Sequence, residues 1–457
     1  MSDATPDLQA RSPWSTLTGV QRMHVDPYRG SVTGELSVPG SKSFTNRALI
    51  IAAMARGQSR LSGILQSDDS YWCIDALQRL GIAVHVDGDC VEIEGCGGAW
   101  PTLAGSLYLG ASGTLSRFLP GALAAAPQGR WTLDGSSRLR ERPMRPLLDG
   151  LTRLGAQLSF EGQPGALPFT VHANGLDGGE VFISGDTSSQ FISGLLIAAP
   201  YARTPVTIHV TSPIVQHAYV RMTLDLMAQF GVDVEYTEDL RKLRVEPAAY
   251  QARELSLEAD ASTACYFLAL AAVTGGRVCV QNLPPTTRQP DIGLVDVLAR
   301  MGCTVERTTS SIALSGPPQT SASAPLKGGF TVSMKEMSDQ AVLLAAIAVY
   351  ADAPVTITDV AHIRAHESDR IAAICASLQR LGIQVEEHED GLTVYPGRPG
   401  QAALPSYDDH RIAMSLSVLA AAGQGADILD PGCVSKTCPA FFDLLGQLGI
   451  HTQAHRS

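Results

Sequence analysis

The chain has 457 residues, enough for two or more domains, and is rich in turn formers, with 43 Gly and 27 Pro. A formal net charge of −11 argues against a nucleic-acid or anionic-membrane partner, so any anionic small molecule must be held by a local basic cluster. Nine scattered cysteines without a C-x-x-C pair fit reduced thiols rather than a disulfide framework or a zinc site. No apolar run reaches the roughly 18 residues of a membrane span. The stretch to Arg22 is polar and lacks a basic-then-apolar signal pattern, so a soluble, cytoplasmic protein is expected.

In chain order the first stretch of note is Pro39-Gly40-Ser41-Lys42-Ser43-Phe44-Thr45-Asn46-Arg47, which runs into Ala48-Leu49-Ile50-Ile51. It reads as a turn, a helix start loaded with hydroxyls and two cations, and a helix fit only for burial. Free N–H groups at such a start attract anions, and Ser43 and Arg47, four apart, share a helix face. An N-capped core helix with solvated cations is the plainer reading. The spacing is not that of a P-loop.

Beyond it an internal repeat emerges. Leu77-Gln78-Arg79-Leu80-Gly81 recurs near Gly155, Gly231, Gly302, Gly382 and Gly449, each time an amphipathic helix, a glycine past its end and an alternating strand. A second helix type, apolar all round, recurs with the same period. These helices follow Lys42, Gly113-Thr114, Ser188-Ser189-Gln190, Asp260-Ala261-Ser262, Asp339-Gln340 and Asp409-His410-Arg411. Six such starts facing one region would make a cleft dense in N–H donors; six ordinary N-caps is the alternative. The six β-α-β-α-β-β-like units split into two domains of three. Hinges are expected near Val38-Pro39 and Glu258-Ala259, giving one domain of residues 1–38 with 258–457 and another of 39–257. Lysine occurs only at positions 42, 242, 327, 335 and 436, and two of these lie in motifs already suspect on other grounds.

Collinear motifs then carry a family resemblance over roughly residues 30–450. They are Pro39-Gly40-Ser41-Lys42-Ser43 with Asn46-Arg47, Gly113-Thr114 with Arg117, and Arg140-Glu141-Arg142-Pro143. Ser188-Ser189-Gln190-Phe191, Arg364 to Arg370, Asp408-Asp409-His410-Arg411 and Lys436-Thr437 complete the set. The chain resembles the 5-enolpyruvylshikimate-3-phosphate synthases (3-phosphoshikimate 1-carboxyvinyltransferases). The resemblance implies an α/β fold of two three-repeat domains with the active-site cleft between them. It implies transfer of the enolpyruvyl group of phosphoenolpyruvate to shikimate 3-phosphate in the shikimate pathway, with no cofactor and no metal, and a monomer as the default.

By the same resemblance Arg142, Arg370, Arg411 and Lys436 hold phosphoenolpyruvate, with Gly113, Thr114 and Lys42 beside it and Gln190 between the two ligands. Lys42, Ser43, Arg47, Ser188, Ser189, Gln190, Tyr219, Asp339 and His366 hold shikimate 3-phosphate. Addition and elimination need a proton given to the methylene carbon and one taken from the hydroxyl. Asp339 is assigned as base, Glu367 as proton donor and Lys42 as assistant.

The departures from the family pattern are Ala111 and Phe118 in the Gly110–Phe118 segment, Gln216-His217-Ala218 before Tyr219, and His362 and His366 in place of Asn and Lys. Imidazoles there make affinity for the acceptor weaken above about pH 7. Metal binding by His362 and His366, four apart on a helix, is opposed by Arg364 and Arg370. The competing functions are a UDP-N-acetylglucosamine enolpyruvyl transferase, whose loop cysteine is missing between Gly110 and Pro120, a paralogue using another acceptor, and a non-catalytic binder of the same fold.

Overall fold

A computed structural model describes residues 6–318 and 326–456. The chain divides into two compact units: a continuous one, Gly40–Leu257, and a discontinuous one, Met1–Pro39 with Glu258–Ser457. Among the described residues the helices of the continuous unit are α1 (Lys42–Met54), α2 (Asp68–Arg79), α3 (Gly113–Ala124), α4 (Ser137–Glu141), α5 (Arg145–Arg153), α6 (Ser189–Ala198) and α7 (Ala218–Gln229). Those of the discontinuous unit are α8 (Ala261–Thr274), α9 (Leu294–Arg300), α10 (Ala341–Ala348), α11 (Arg370–Arg380), α12 (His410–Ala422) and α13 (Phe441–Gln447).

The two helix types of the repeat alternate. α1, α3, α6, α8, α10 and α12 carry almost no polar stripe, and their apolar residues are buried all round. In the continuous unit α3 packs on α1 and α6; in the discontinuous one α12 packs on α8 and α10. Five of the six open on a side-chain cap. Ser41, Ser112, Ser188, Asp260 and Asp409 each accept a hydrogen bond from a backbone N–H of the first turn. The exception, α10, is entered from a 3₁₀ turn over Lys335–Gln340. Lys335, Asp339 and Gln340 therefore sit on a tighter backbone than an α-helix start provides.

Each repeat builds one four-stranded sheet, six in all among the described residues. In the second, Ala104–Tyr108 runs parallel to Gly129–Asp134, which pairs antiparallel with Phe169–Ala173, itself paired antiparallel with Gln157–Phe160. Buried helices fill the crossovers between parallel strands, as a right-handed β-α-β connection requires. Three repeats borrow a strand from far along the chain: Val20–Val25 lies antiparallel between Ala426–Leu429 and Thr452–Arg456. Glu254–Ser256 lies parallel to the strand Arg56–Ser62 that follows α1, and Thr33–Leu36 lies parallel to Arg277–Val280, which follows α8. The chain therefore passes from one unit to the other twice, after Pro39 and after Leu257.

The amphipathic helices all end the same way. Gly81, Gly155, Gly231, Gly302, Gly382 and Gly449 follow α2, α5, α7, α9, α11 and α13, and all have positive φ. A side chain there meets the left-handed penalty of roughly 1–2 kcal/mol. Gly382 (φ +77) has open space around it, whereas a Cβ on Gly155 (φ +103) would lie 2.6 Å from the Asp177 carboxylate. We expect Gly382→Ala to cost about 1 kcal/mol, the backbone term alone. Gly155→Ala should cost more, and urea denaturation of the two variants measures the difference.

Candidate active site

Two clusters of the residues singled out above form, one in each unit. In the continuous unit, Ser41 caps α1 and sets Lys42 and Ser43 at its first turn. The Lys42 ammonium lies 3.8 Å from Asp69, a buried carboxylate in the first turn of α2. Arg47, one turn on, is buried, with 1% of its surface exposed. Its Nε donates to Thr223 Oγ1 at 2.7 Å and its Nη1 to the Ser43 carbonyl at 3.0 Å, while Nη2 reaches Ser193 Oγ and the Tyr219 carbonyl at 3.5 and 3.4 Å. The guanidinium lies over the Phe118 ring at 4.9 Å and faces Tyr219 at 5.8 Å. Phe118, one of the departures, therefore supplies the apolar floor under this cation. Burial pulls the Arg47 pKa down to about 10, which still leaves it charged at neutral pH.

Arg47 ties α1 to α6 and α7 and holds the turn that presents Ser43. Asn46 Nδ2 donates to Thr114 Oγ1, linking α1 to the start of α3. At that start Gly113 leaves room for Arg142: a Cβ on Gly113 would stand 2.6 Å from the Arg142 Nη1. Ser188 caps α6 through the Gln190 N–H at 3.2 Å, leaving Ser188 and Gln190 partly exposed and Ser189 buried. Tyr219 is half-buried at the first turn of α7, and Gln216 just before it takes a left-handed backbone (φ +51).

The cluster in the discontinuous unit is denser. Arg370 opens α11 and is 1% exposed. Its Nε donates to Asp409 Oδ2 at 2.8 Å, Nη2 to Glu367 Oε2 at 2.9 Å, and Nη1 to Asp339 Oδ1 at 2.8 Å. Burial lowers its pKa, but the three carboxylates outweigh that and hold it above its ordinary value. Arg411, in the first turn of α12, donates to the other Asp339 oxygen at 2.9 Å. Lys436, which ends the 3₁₀ turn Pro431–Lys436, lies 3.0 Å from the other Glu367 oxygen. Asp339 is thus bridged by Arg370 and Arg411, and Glu367 by Arg370 and Lys436.

Two further acids shape this cluster. Asp409 caps α12 through the Arg411 N–H at 2.9 Å while holding Arg370, so one side chain orients two of the cations. Asp291, wholly buried, accepts from Ser262 Oγ and from Gln340 Nε2 at 2.9 Å and stands 4.0 Å from Arg411. Burial, reinforced by the charge of Asp339, raises its pKa to about 6. Asp291 was not singled out from the sequence. The available signal was an acid set between the long apolar helix α8 and the apolar start of α9.

His362 and His366 fall in the same unit but not on an α-helix. Ala361–Ala365 is a 3₁₀ turn and His366 is extended beyond it, so the shared helical face that a metal reading needs is absent. The rings meet edge to face at 5.8 Å. His366 Nδ1 lies 3.0 Å from Arg370 Nη1 and 3.7 Å from Asp339. A guanidinium only donates, so Nδ1 accepts and the ring proton of the neutral form is on Nε2. His362 Nε2 is 2.8 Å from Ser338 Oγ, and burial lowers its pKa below 6.5, with Asp339 opposing the shift and Arg370 and Lys335 adding to it. The loss of charge expected near pH 7 is therefore moved, at His362, to more acidic pH.

The architecture defines a class before it defines a family. Across 95% of the chain the fold superposes on an EPSP synthase from Acinetobacter baumannii with a TM-score of 0.78 and 25% identity, covering 100% of that chain. It also matches the fold of the enolpyruvyl transferase NikO from Streptomyces tendae, with a TM-score of 0.74 at 17% identity over 96% of this chain and 100% of that one. The fold is that of the enolpyruvyl transferases.

Within that class, residues 28–445 match the family model of EPSP synthase (3-phosphoshikimate 1-carboxyvinyltransferase). The chain is 55% identical over 446 residues to 3-phosphoshikimate 1-carboxyvinyltransferase 2 of Halalkalibacterium halodurans, covering 97% of this chain and 98% of that one. It is 42% identical over 422 residues to the 3-phosphoshikimate 1-carboxyvinyltransferase of Trichormus variabilis, covering 91% and 97%. The chain belongs to the EPSP synthase family.

The His362 shift gives a signed expectation. Its folded pKa lies below the unfolded value, so acidification through 6.5 loads the unfolded state with a proton that the folded state resists. Stability at this site is complete above pH 6.5 and is lost as pH falls through the lowered value. His362→Asn should flatten that part of the stability profile, and NMR titration of the wild-type ring should place its midpoint below 6.5.

Proposed function

We infer that this chain transfers the enolpyruvyl group of phosphoenolpyruvate to the 5-hydroxyl of shikimate 3-phosphate, giving 5-enolpyruvylshikimate 3-phosphate and inorganic phosphate. The observation that carries this reading is the pair of carboxylates each bridged by two buried cations, Asp339 by Arg370 and Arg411 and Glu367 by Arg370 and Lys436. Such a cluster suits a small, densely anionic substrate that replaces carboxylates as the partner of the cations. The three cations take phosphoenolpyruvate, together with Arg142, Gly113, Thr114 and Gln190. Lys42, Ser43, Ser188, Ser189, Gln190, Tyr219, Asp339 and His366 take the acceptor, with Arg47 supporting Ser43 from behind. The enzyme acts as a monomer in the cytoplasm.

The chemistry runs in two stages. Glu367, released from Arg370 and Lys436 by the bound substrate and then protonated, gives that proton to the methylene carbon of phosphoenolpyruvate as the 5-oxygen, its proton removed by Asp339, forms a bond to the neighbouring carbon. The tetrahedral adduct then loses phosphate as the carbon–oxygen bond to it breaks, and the departing phosphate takes up the proton that Asp339 holds. A methyl proton returns to Glu367 and the double bond is restored. The cations cover the negative charge that builds on the carboxylate and the departing phosphate, and Lys42 assists at the hydroxyl and the leaving group.

Phosphate release with shikimate 3-phosphate, compared with shikimate and with UDP-N-acetylglucosamine, tests the reading; turnover with an acceptor other than shikimate 3-phosphate alone would overturn it. Asp339→Ala and Glu367→Ala should each lower kcat by roughly a hundredfold or more, the scale of a general acid or base. Turnover within tenfold of wild type in either would remove that residue from its role. Gly113→Ala pushes a methyl into the Arg142 guanidinium. It should raise KM for phosphoenolpyruvate about tenfold, since one displaced charge-assisted hydrogen bond is worth roughly 1.5–3 kcal/mol, while KM for shikimate 3-phosphate stays near wild type.

A further inference from the structure

The segment preceding the first sheet strand holds a charged contact that the chemistry above does not use. Arg11, buried for all but a small part of its surface, places its Nη2 2.6 Å from Asp408 Oδ1 and 2.7 Å from Asp430 Oδ2. The two acids lie on different loops. Asp408 directly precedes Asp409, the cap of α12, and stands three residues before Arg411. Asp430 precedes the 3₁₀ turn Pro431–Lys436, which ends on Lys436. One guanidinium nitrogen therefore joins the two loops that carry two of the three cations assigned to phosphoenolpyruvate.

Both loops adopt backbones they would not choose alone. Tyr407, Asp408 and Asp430 have φ of +55, +52 and +47, the left-handed region that costs a non-glycine residue about 1 kcal/mol or more and persists only where surrounding contacts enforce it. The contacts come from the N-terminal segment. Asp7 N donates to Asp408 Oδ2 at 3.2 Å, and Asp430 N donates to the Gln21 carbonyl at 2.8 Å. Gly432, inside the 3₁₀ turn, has no room for a Cβ, which would stand 2.3 Å from Arg11 Nη1. The segment thus presses on the turn that ends in Lys436 and grips the loop that leads to Arg411. Asp430 is itself pushed up to about pKa 6, by burial first and then by Asp408, with Arg11 opposing.

We propose that Arg11 is a positioning residue for the transfer reaction, fixing the spacing of Arg411 and Lys436 by clamping Asp408 to Asp430. The proposal rests on the assignment of those two cations to phosphoenolpyruvate. It differs from a simple anchor for the N-terminal segment, which would affect stability and leave substrate affinity alone.

Steady-state kinetics on the full chain separate the two. Arg11→Ala should raise KM for phosphoenolpyruvate about tenfold or more, as expected when a binding group is displaced by a fraction of an ångström, and leave KM for shikimate 3-phosphate within about twofold. Arg11→Lys should recover most of the loss, because a single nitrogen makes both contacts. Should Arg11→Ala fail to fold, Asp430→Asn is read by the same criteria. A KM for phosphoenolpyruvate within twofold of wild type, with only the melting temperature lowered, overturns the proposal. So does an equal rise in both KM values. Arg411→Gln and Lys436→Met serve as references. If they leave KM for phosphoenolpyruvate unmoved, the assignment of the cations falls and the proposal with it; if they raise it and Arg11→Ala does not, only the role of Arg11 falls.

Discussion

Three cations buried near one another in a chain of net charge −11 must be paired, and the pairing around Arg370 is the interaction on which the discontinuous unit depends. An isolated buried guanidinium would carry a desolvation cost of several kcal/mol; Arg370 avoids it by meeting Asp339, Glu367 and Asp409 at once. Those partners anchor to different elements: the 3₁₀ turn before α10, the residues before α11, and the cap of α12. The charge cluster therefore fixes the mutual placement of three elements, and removing any one partner weakens the compensation of a buried charge. On the proposed reading, a substrate with its own carboxylate and phosphate replaces the protein's carboxylates without exposing the cations to apolar surroundings.

The continuous unit solves a similar problem with neutral groups. Arg47 is buried among two hydroxyls, two main-chain carbonyls and two aromatic faces, and among the described residues none of its hydrogen bonds goes to a carboxylate. Its pKa falls, where that of Arg370 rises. A cation compensated by neutral acceptors leaves a net positive field on the first turn of α1, where the helix N-terminus adds to it. At the same turn the Lys42 ammonium lies 3.8 Å from the Asp69 carboxylate. On the proposed reading such a surface receives an anion from solution, whereas the cluster around Arg370 exchanges partners.

How much of this was legible in the sequence follows from which signals are local. The glycines after the amphipathic helices were plain because only a residue without a Cβ sits comfortably at positive φ, and the apolar helices were plain because they lack a polar stripe. Arg370, Arg411 and Lys436 stood out through motif order. The strands lent across the chain, Val20–Val25, Thr33–Leu36 and Glu254–Ser256, could not be read, since nothing in three to six residues states which distant strand they will join. The 3₁₀ turns at Lys335–Gln340 and Ala361–Ala365 were hidden for a related reason: their tighter winding is imposed by contacts, and an i, i+4 argument about His362 and His366 fails on them. Arg11 was invisible because its two partners lie about four hundred positions away.

The double passage of the chain has a topological consequence. Residues 40–257 are an uninterrupted stretch inserted into a host whose two pieces are already joined, since Asp260 N donates to the Pro39 carbonyl at 2.8 Å. The guest's own ends also meet: Gly40 and Leu257 both abut Gly63, too closely for a Cβ at either glycine. Host and guest can each be closed on themselves by a short peptide. At the level of the gene, the guest is excisable and the host can be resealed, which makes Pro39–Gly40 and Leu257–Glu258 natural points for splitting, permuting or exchanging halves among relatives.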